Sequence, residues 1–390
     1  MRDLVDVDRL IDSTGVLVAA DSQNPPGRER AAVDVARRLL TDLGASSITE
    51  VEPEPGRPSL VAHVPGRRTG DDRARPTLIV NGHLDTVPFD AAAWTHDPLG
   101  CELADGRLYG RGTADMKGGI AAAIEAVRVA RTATGGDGGL PCDVVFHLVA
   151  DEETGGQKGT KVLLDRGLIT GDACIDPEPT SMQVSIAERG LLQAAIAITG
   201  VPAHASEPHR GDSAIEHAAR MVLALQGADY GEEHPLLGRP SSNVGIIEGG
   251  SGINVVAPTC TLKVDRRVLP GASADATLDT IRQKVDDADP AARYELATLV
   301  FGEASELARD DPFLARFQRA YDDALGRPAD LIGLQATTDA RFVRNQAGIP
   351  ALVCGPGDLD QAHRVDEWVS VDALVDATVV YAHLLLSYGV

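Results

Sequence analysis

Outside residues 188–301, the hydrophobic positions follow two patterns in turn: the spacing of an amphipathic helix and the short apolar run of a buried strand. Apolar residues recur between positions 33 and 43 at the spacing of an amphipathic helix, which ends at Gly44. Alternating helices and strands predict an α/β domain with a doubly wound, mostly parallel sheet covered on both faces. Four short apolar runs are typical of its buried strands: residues 77–80, 143–150, 173–175 and 349–354.

A different pattern occupies residues 188–301. Apolar and polar side chains alternate from Leu192 to Ile198, as in a strand with one covered face. The order strand, helix, strand, strand, helix, strand is that of a ferredoxin-like α+β unit. We therefore predict one domain formed by residues 1–187 and 302–390, interrupted by an inserted domain, residues 188–301. The later elements of the insertion are predicted at 213–226, 243–249, 256–267, 274–287 and 293–301.

The composition narrows the classes of partner. The formal net charge is −22, from 58 acidic and 36 basic residues, so the chain would repel nucleic acid and anionic membranes. No apolar run approaches the roughly 18 residues of a membrane span, and the first residues lack the pattern of a secretory signal. The five cysteines are scattered, with no C-x-x-C pair. Free thiols in a reducing cytoplasm explain them best.

Candidate metal ligands lie where the apolar runs end. His83 follows the first run, Glu152 and Glu153 follow the second, Glu178 follows the third, and His363 follows the fourth. Ligands of open parallel sheets bind beyond the carboxyl ends of the strands, so these side chains are expected to converge. Several acids together need cations to stay ionised. Each residue alone could equally be a surface histidine or a solvated acid. The prediction depends on the same feature recurring after all four apolar runs.

Five segments carry a family resemblance in their order and spacing. Together they resemble the aminoacylase, acetylornithine deacetylase and succinyl-diaminopimelate desuccinylase family of dinuclear metallopeptidases. This resemblance implies a metal-binding catalytic domain with an inserted dimerisation domain. The segments are GHLDTVP (82–88), GRGTADMKGG (110–119), DEETGG (151–156), PEPT (177–180) and GPGDLDQAHRVDE (355–367).

The resemblance also implies a pair of divalent metal ions and their ligands. Zinc suits mixed histidine and carboxylate ligands best, and cobalt or manganese would also fit. Asp115 would bridge the two ions, and the peptide bond that follows it is expected to be cis. An extra acid, Asp176, precedes Glu178 and is a competing ligand. One ion would be held by His83, Asp115 and Glu178, and the other by Asp115, Glu153 and His363.

Two further residues acquire catalytic roles by the same resemblance. Asp85 would accept the second ring N–H of His83 and fix its tautomer. Glu152 would act as general base on a metal-activated water and return the proton to the leaving amine. If the chain stays extended here, Glu152 and Glu153 point in opposite directions, so that one faces the metals and the other faces the water.

The inserted domain contributes candidates of its own. His204, in GVPAHAS, matches a histidine that reaches the active site of a partner subunit, which implies a homodimer. Asn254 and Arg267 match residues that bind the substrate carboxylate, which the planar fork of an arginine grips with two hydrogen bonds. Arg341 is a further candidate for that task.

The predicted function is hydrolysis of the amide bond of an N-acyl amino acid, with acetylornithine-like or succinyl-diaminopimelate-like substrates. A dipeptidase or carboxypeptidase of the same family is the alternative, because its leaving group is also an amine. A metal-retaining binding protein without catalysis is a third possibility. The presence of Glu152 argues against it, since turnover needs this residue and metal binding does not.

Overall fold

The computed structural model describes residues 1–67, 75–135 and 139–389 of the 390-residue chain. The helices are α1 (Val7–Ala19), α2 (Arg30–Asp42), α3 (Gly118–Ala133), α4 (Thr160–Asp165), α5 (Ala214–Leu225), α6 (Ala274–Ala288), α7 (Pro312–Leu325) and α8 (Val371–Tyr388). The strands are β1 (Ser47–Val51), β2 (Ser59–Val64), β3 (Thr77–His83), β4 (Glu102–Ala104), β5 (Arg107–Tyr109), β6 (Asp143–Val149), β7 (Ala173–Pro179), β8 (Val184–Glu188), β9 (Gly190–Thr199), β10 (Ser241–Gly249), β11 (Thr259–Val268), β12 (Arg293–Gly302), β13 (Ser305–Glu306), β14 (Leu331–Leu334), β15 (Ala351–Gly355) and β16 (Trp368–Ser370).

Contacts divide the chain into two compact units. The first comprises residues 1–186, 307–332 and 338–390, and the second comprises residues 187–306 and 333–337. The insertion expected at 188–301 therefore lies within the second unit. That unit also includes residues 187, 302–306 and 333–337, which the sequence pattern placed in the first domain.

The first unit is built on a mixed sheet in the order β1-β2-β6-β3-β7-β15-β8. Strands β6, β3, β7 and β15 are parallel neighbours, and antiparallel pairs lie on either side of them. Every residue of β7 and β15 is buried, as is every residue of β3 and β6 after the first. Burial on both faces is the pattern of a covered parallel sheet, so the predicted α/β fold class is confirmed.

Helix α8 departs from a prediction made on the sequence. It is long and apolar enough to cross a membrane by length and composition, although no such run was expected. In the structure it is mostly buried and packs against α3 and α7. A helix in the middle of a core is apolar all round, and this accounts for its composition.

The second unit has the predicted element order β9-α5-β10-β11-α6-β12. Its sheet is antiparallel in the order β10-β11-β9-β12. Alternate residues of β9 between Leu192 and Ile198 pack into a core with Met221 of α5 and Ile281 of α6. The period-two alternation read from the sequence thus identifies the helix-covered face.

Candidate metal centre

Two histidines face opposite oxygens of one carboxylate. The Nε2 atom of His83, the last residue of β3, lies 2.9 Å from Oδ1 of Asp115 and 3.5 Å from Oε1 of Glu178. The Nε2 atom of His363 lies 3.3 Å from Oδ2 of Asp115 and 3.0 Å from Oε2 of Glu153. All five predicted ligands therefore converge, with Asp115 in the middle, as a bridging carboxylate must be.

The local backbone brings these ligands together in ways that differ partly from expectation. The Asp115–Met116 peptide bond is cis, as the resemblance implied. Strand β7 continues through Glu178, whereas the apolar run ended three residues earlier. His363 has a φ of 64°, in the left-handed region, and its side chain is 52% exposed. The ligand on the C-terminal segment thus faces solvent, while His83 is buried.

Asp85 orients His83 through its main chain and not through its carboxylate. The Nδ1 atom of His83 lies 2.8 Å from the carbonyl oxygen of Asp85, and the nearest carboxylate oxygen is 3.6 Å away. A carbonyl oxygen only accepts, so Nδ1 carries the hydrogen and Nε2 is left for the ligand cluster. The contact by which Asp85 fixes the tautomer thus comes from its main-chain carbonyl.

The carboxylate of Asp85 instead holds the turn that carries the two adjacent glutamates. Its oxygens accept the main-chain N–H groups of Glu152 and Glu153, each at 3.2 Å, and the side-chain amide of Asn24 at 2.8 Å. Glu152–Thr154 form a single 3₁₀ turn. The segment is therefore not extended, and the alternation of side chains that an extended segment would give does not apply here.

The turn begins at Asp151, whose φ of 71° lies in the left-handed region. The buried side chain of Asp151 accepts the Thr154 hydroxyl at 2.7 Å and contacts Nη1 of Arg57 at 3.0 Å. Arg57 is also paired with the buried Glu29 at 2.6 Å. These side chains hold Asp151 in a conformation that few non-glycine residues adopt. Sequence patterns gave no signal for Arg57 or Glu29, because neither lies in a recognised motif.

The electrostatics of the cluster show an excess of negative charge. Burial raises the pKa of Glu152, of Glu153 and of Glu178, and Asp115 raises each of them further. Hydrogen bonds to Asp115 and Glu153 raise the pKa of His363 to about 10. With these pKa values raised, the three glutamates tend to stay protonated and His363 tends to keep its proton. Bound cations would favour the ionised acids and the neutral histidine, so the cluster is suited to metal ions.

The donor set fits divalent metal ions. Ligand atoms of His83, Asp115 and Glu153 lie within 4.8 Å of one another, as do those of His83, Glu152 and Glu178. Imidazole nitrogens together with carboxylate oxygens suit zinc, and they also accept cobalt or manganese. Asp176 is buried two residues before Glu178 and raises its pKa, and the converging ligand atoms of this pair belong to Glu178.

Glu367 contacts the loop that carries Asp115, and the sequence analysis missed it although it ends a recognised motif. Its buried Oε1 atom accepts three main-chain N–H groups, from Gly112 at 3.0 Å, Ala114 at 3.0 Å and Asp115 at 3.1 Å. Its Oε2 atom accepts Nη1 of Arg111 at 2.5 Å. Burial raises the pKa of Glu367 to about 7, yet all four partners are donors and favour the charged form.

Two predicted residues of the second unit lie on paired segments. The N–H of Ala205, next to His204, donates to the carbonyl of Asn254 at 3.0 Å, and both side chains are exposed. Arg267 lies near the other end of β11, where its Nε contacts Asp265 at 2.9 Å. From Thr259 to Arg267 the strand spans about 27 Å, at roughly 3.4 Å per residue. His204 and Asn254 thus lie on paired segments next to the Thr259 end of the strand, whereas Arg267 lies near its other end.

Arg341 makes main-chain contacts within the first unit. Its buried guanidinium donates to the carbonyl oxygens of Thr338 at 2.6 Å and Gly155 at 2.8 Å. Gly155 follows the turn that carries Glu152, so this hydrogen bond from Arg341 holds the end of that turn. Its assignment to the substrate carboxylate stays a prediction.

A model of peptidase family M20/M25/M40 matches residues 79–387. The chain belongs to this family. The resemblance read from the five segments is thereby confirmed, and membership of the M20 family makes the protein a metallo-amidohydrolase.

Among curated relatives of this M20 chain is acetylornithine deacetylase of Proteus mirabilis, which is 32% identical over 390 residues covering 96% of this chain and 93% of the relative. Succinyl-diaminopimelate desuccinylase of Cereibacter sphaeroides is 33% identical over 392 residues, which cover 96% of this chain and 97% of the relative. Both match nearly the full length, so the likeness includes the inserted unit.

Solved structures support the M20 fold. Aminopeptidase PepT of Bacillus cereus superimposes with a TM-score of 0.80 at 22% identity, covering 98% of this chain and 99% of that chain. A dinuclear metal-binding peptidase of the M20 family from Bacillus subtilis superimposes with a TM-score of 0.71 at 15% identity, covering 97% of this chain and 97% of that chain. At these identities the likeness establishes the fold alone.

Proposed function

We propose that this M20 protein hydrolyses the amide bond of an N-acyl amino acid, with acetylornithine-like or succinyl-diaminopimelate-like substrates. The observation that carries the proposal is the position of Asp115 between His83 and His363, with Glu152 beside the same cluster. The names of the curated relatives, a deacetylase and a desuccinylase, support this substrate class over others in the family.

The proposed cofactor is a pair of divalent ions, zinc first and cobalt or manganese as alternatives. His83, Asp115 and Glu178 would hold one ion, and Asp115, Glu153 and His363 the other. When bound, such a pair lowers the pKa of water and polarises the scissile carbonyl. Asp85 would keep the Nε2 atom of His83 unprotonated and directed at the site.

Glu152 is proposed as the general base. Its carboxylate would accept a proton from the attacking water and pass it to the nitrogen of the leaving amine as the C–N bond breaks. Burial raises the pKa of Glu152 above its ordinary value, the direction that favours proton uptake by its carboxylate. The hydrogen bond from its N–H to Asp85 fixes its position.

The separation of Asn254 from Arg267 favours an active site shared by two subunits. One substrate carboxylate cannot touch both residues of one protomer if the strand between them spans about 27 Å. In a homodimer, His204 and Asn254 of one subunit could act with Arg267 of the other. We propose this arrangement, in the cytoplasm, where the five thiols would stay free.

A release assay across acetylated and succinylated amino acids and unblocked dipeptides, with zinc, cobalt and manganese supplied separately, tests the proposal. Release of free acid from the acylated compounds is the expected result. Turnover of unblocked dipeptides alone would replace this function with that of a dipeptidase. Metal binding without turnover of any compound would leave only a binding protein.

A further inference from the structure

The carboxylate of Glu367 organises the loop that delivers Asp115. Three main-chain N–H groups, those of Gly112, Ala114 and Asp115, converge on a single oxygen, Oε1, at 3.0–3.1 Å. Gly112 has a φ of 88°, which allows the loop to turn its N–H groups inwards. Main-chain N–H groups gathered in this way form a concave anion-binding turn, and here the anion is supplied by the protein's own side chain.

The same short segment also carries a predicted metal ligand. Glu367 lies four residues after His363. Between them, Asp366 accepts the N–H of Thr95 at 2.9 Å and the N–H of His96 at 3.2 Å. The segment is therefore anchored on two sides, and one of its anchors, Glu367, bonds directly to the N–H of Asp115.

We propose that Glu367 is a positioning residue for Asp115, so that metal affinity depends on a carboxylate that is not itself a ligand. This rests on the proposed metal site. Both of its oxygens are used by donors of this chain, with Arg111 on Oε2. Its contacts fix the main chain of Asp115, and Asp115 presents one oxygen to each histidine. A shift of this loop therefore affects both metal positions.

Replacing Glu367 with glutamine tests whether both carboxylate oxygens must act as hydrogen-bond acceptors. Glu367→Gln keeps the size and shape of the side chain but changes one oxygen to an NH₂ group. Since every partner of Glu367 is a donor, the NH₂ faces either the three main-chain N–H groups or Arg111, whichever way it turns. A buried donor set left without its acceptor is destabilising. The loop should therefore move.

Glu125 offers a matched control. It is buried on α3 and accepts a main-chain N–H from Asp6 at 3.2 Å and Nη2 of Arg9 at 2.6 Å. Glu125→Gln removes the same kind of charge from a buried carboxylate, here paired with the partly exposed Arg9, that does not bond to residues 112–115. A general loss of stability would appear in both variants, and a loss of metal positioning would appear only in Glu367→Gln.

The experiment is a titration of the metal-free full-length chain with cobalt(II), followed by visible absorption and competition with a chelator. We expect Glu367→Gln to bind cobalt about 10- to 100-fold more weakly than the unsubstituted chain, while Glu125→Gln binds as the unsubstituted chain does. Equal affinity in Glu367→Gln and the unsubstituted chain would overturn the proposal. If the unsubstituted chain binds no cobalt, the proposed metal site itself fails.

A second variant keeps the test decisive if Glu367→Gln does not fold. Arg111→Met retains the three main-chain hydrogen bonds to Oε1 and removes only the cation beside Oε2. It should weaken cobalt binding less than Glu367→Gln does and more than Glu125→Gln. Affinity equal to that of the unsubstituted chain in a folded Arg111→Met protein, checked by circular dichroism, would count against the proposal.

Discussion

The carboxylate of Asp85 accepts the main-chain N–H of Glu152 at 3.2 Å, which ties the proposed base to the strand end that carries His83. Asp85→Asn keeps the carbonyl contact to His83 but places an NH₂ group against main-chain donors. We expect activity to fall about 10- to 100-fold with metal content retained, as for other residues that support metal ligands. Steady-state kinetics and metal analysis measure this.

Asp97 provides the control for Asp85, because its side chain accepts the N–H of Leu99 at 2.9 Å in an exposed turn. Asp97→Asn should leave activity unchanged. If Asp85→Asn were as active as Asp97→Asn, the carboxylate of Asp85 would have no part in positioning Glu152.

Glu152→Ala and Glu152→Gln should retain both metals and lose most of the activity. Loss of a positioned general base typically costs roughly 100- to 10,000-fold in rate. Metal content and kcat on the acyl substrate found in the release assay are the measurements. Substitution of the exposed Glu102 by glutamine is the control. Near-normal turnover in either Glu152 variant would remove this residue from the mechanism.

A mixed dimer tests whether His204 works in the site of a partner subunit. His204→Ala and Glu152→Ala chains should each be nearly inactive when expressed alone. Co-expression should restore about a quarter of normal activity, because half of the dimers are mixed and each has one intact site. Recovery that stays at the sum of the two single variants would show that His204 and Glu152 act within one chain, or that His204 does not act at all.

His217 should make the stability of the second unit depend on pH. Its Nδ1 lies 2.6 Å from Asp289 and its Nε2 lies 2.7 Å from Asp212, and two ionised carboxylates at these distances favour the protonated ring. Burial lowers the pKa of His217, but the bonds to Asp289 and Asp212 outweigh it and the pKa is raised. Two arginines also face this group. Arg220 lies 2.7 Å from Asp289 through Nε and 3.1 Å from Nδ1 of His217 through Nη2, and Arg293 lies 3.6 Å from Asp212.

Because the folded-state pKa is raised, the stabilisation by His217 is complete below the ordinary value of about 6.5 and is lost as the pH rises through the raised pKa. His217→Gln should therefore lower the free energy of unfolding more at acidic pH than at alkaline pH. Urea unfolding of both proteins at several pH values measures this. A difference that does not change with pH would contradict the prediction.

Gly119 permits the close approach of α3 to strand β7. A Cβ atom at this position would overlap the carbonyl oxygen of Pro177, next to Glu178. Gly119→Ala should lower the free energy of unfolding by about 1–3 kcal/mol, the usual cost of overpacking a core.

Gly15, in helix α1, is the control for Gly119. An added Cβ there meets only Cys101 at 3.8 Å, an ordinary contact. Gly15→Ala should be neutral or should stabilise the protein by up to about 1 kcal/mol, because alanine is the better helix former. Urea unfolding compares the two variants, and equal effects would show that the overlap with Pro177 is relieved without cost.

The sequence by itself determined the fold class, the element order of the insertion and the candidate ligands. The first two depend on local properties, because the period of apolar residues distinguishes helix from strand. The candidates at strand ends follow because the carboxyl ends of parallel strands share one edge, whereas the full ligand set, with Asp115 as the bridge, came from the family resemblance. His83 and Glu153 could therefore be expected near each other without coordinates.

Only the tertiary structure decided how those ligands are held. The bond from Glu367 to Asp115 joins residues 252 positions apart, and its partner atom belongs to the main chain. The carbonyl of Asp85 and the left-handed turn at Asp151 are also main-chain features. A pattern of side-chain types records neither main-chain atoms nor the path that brings distant segments into contact, so these supports become visible only once the chain is folded.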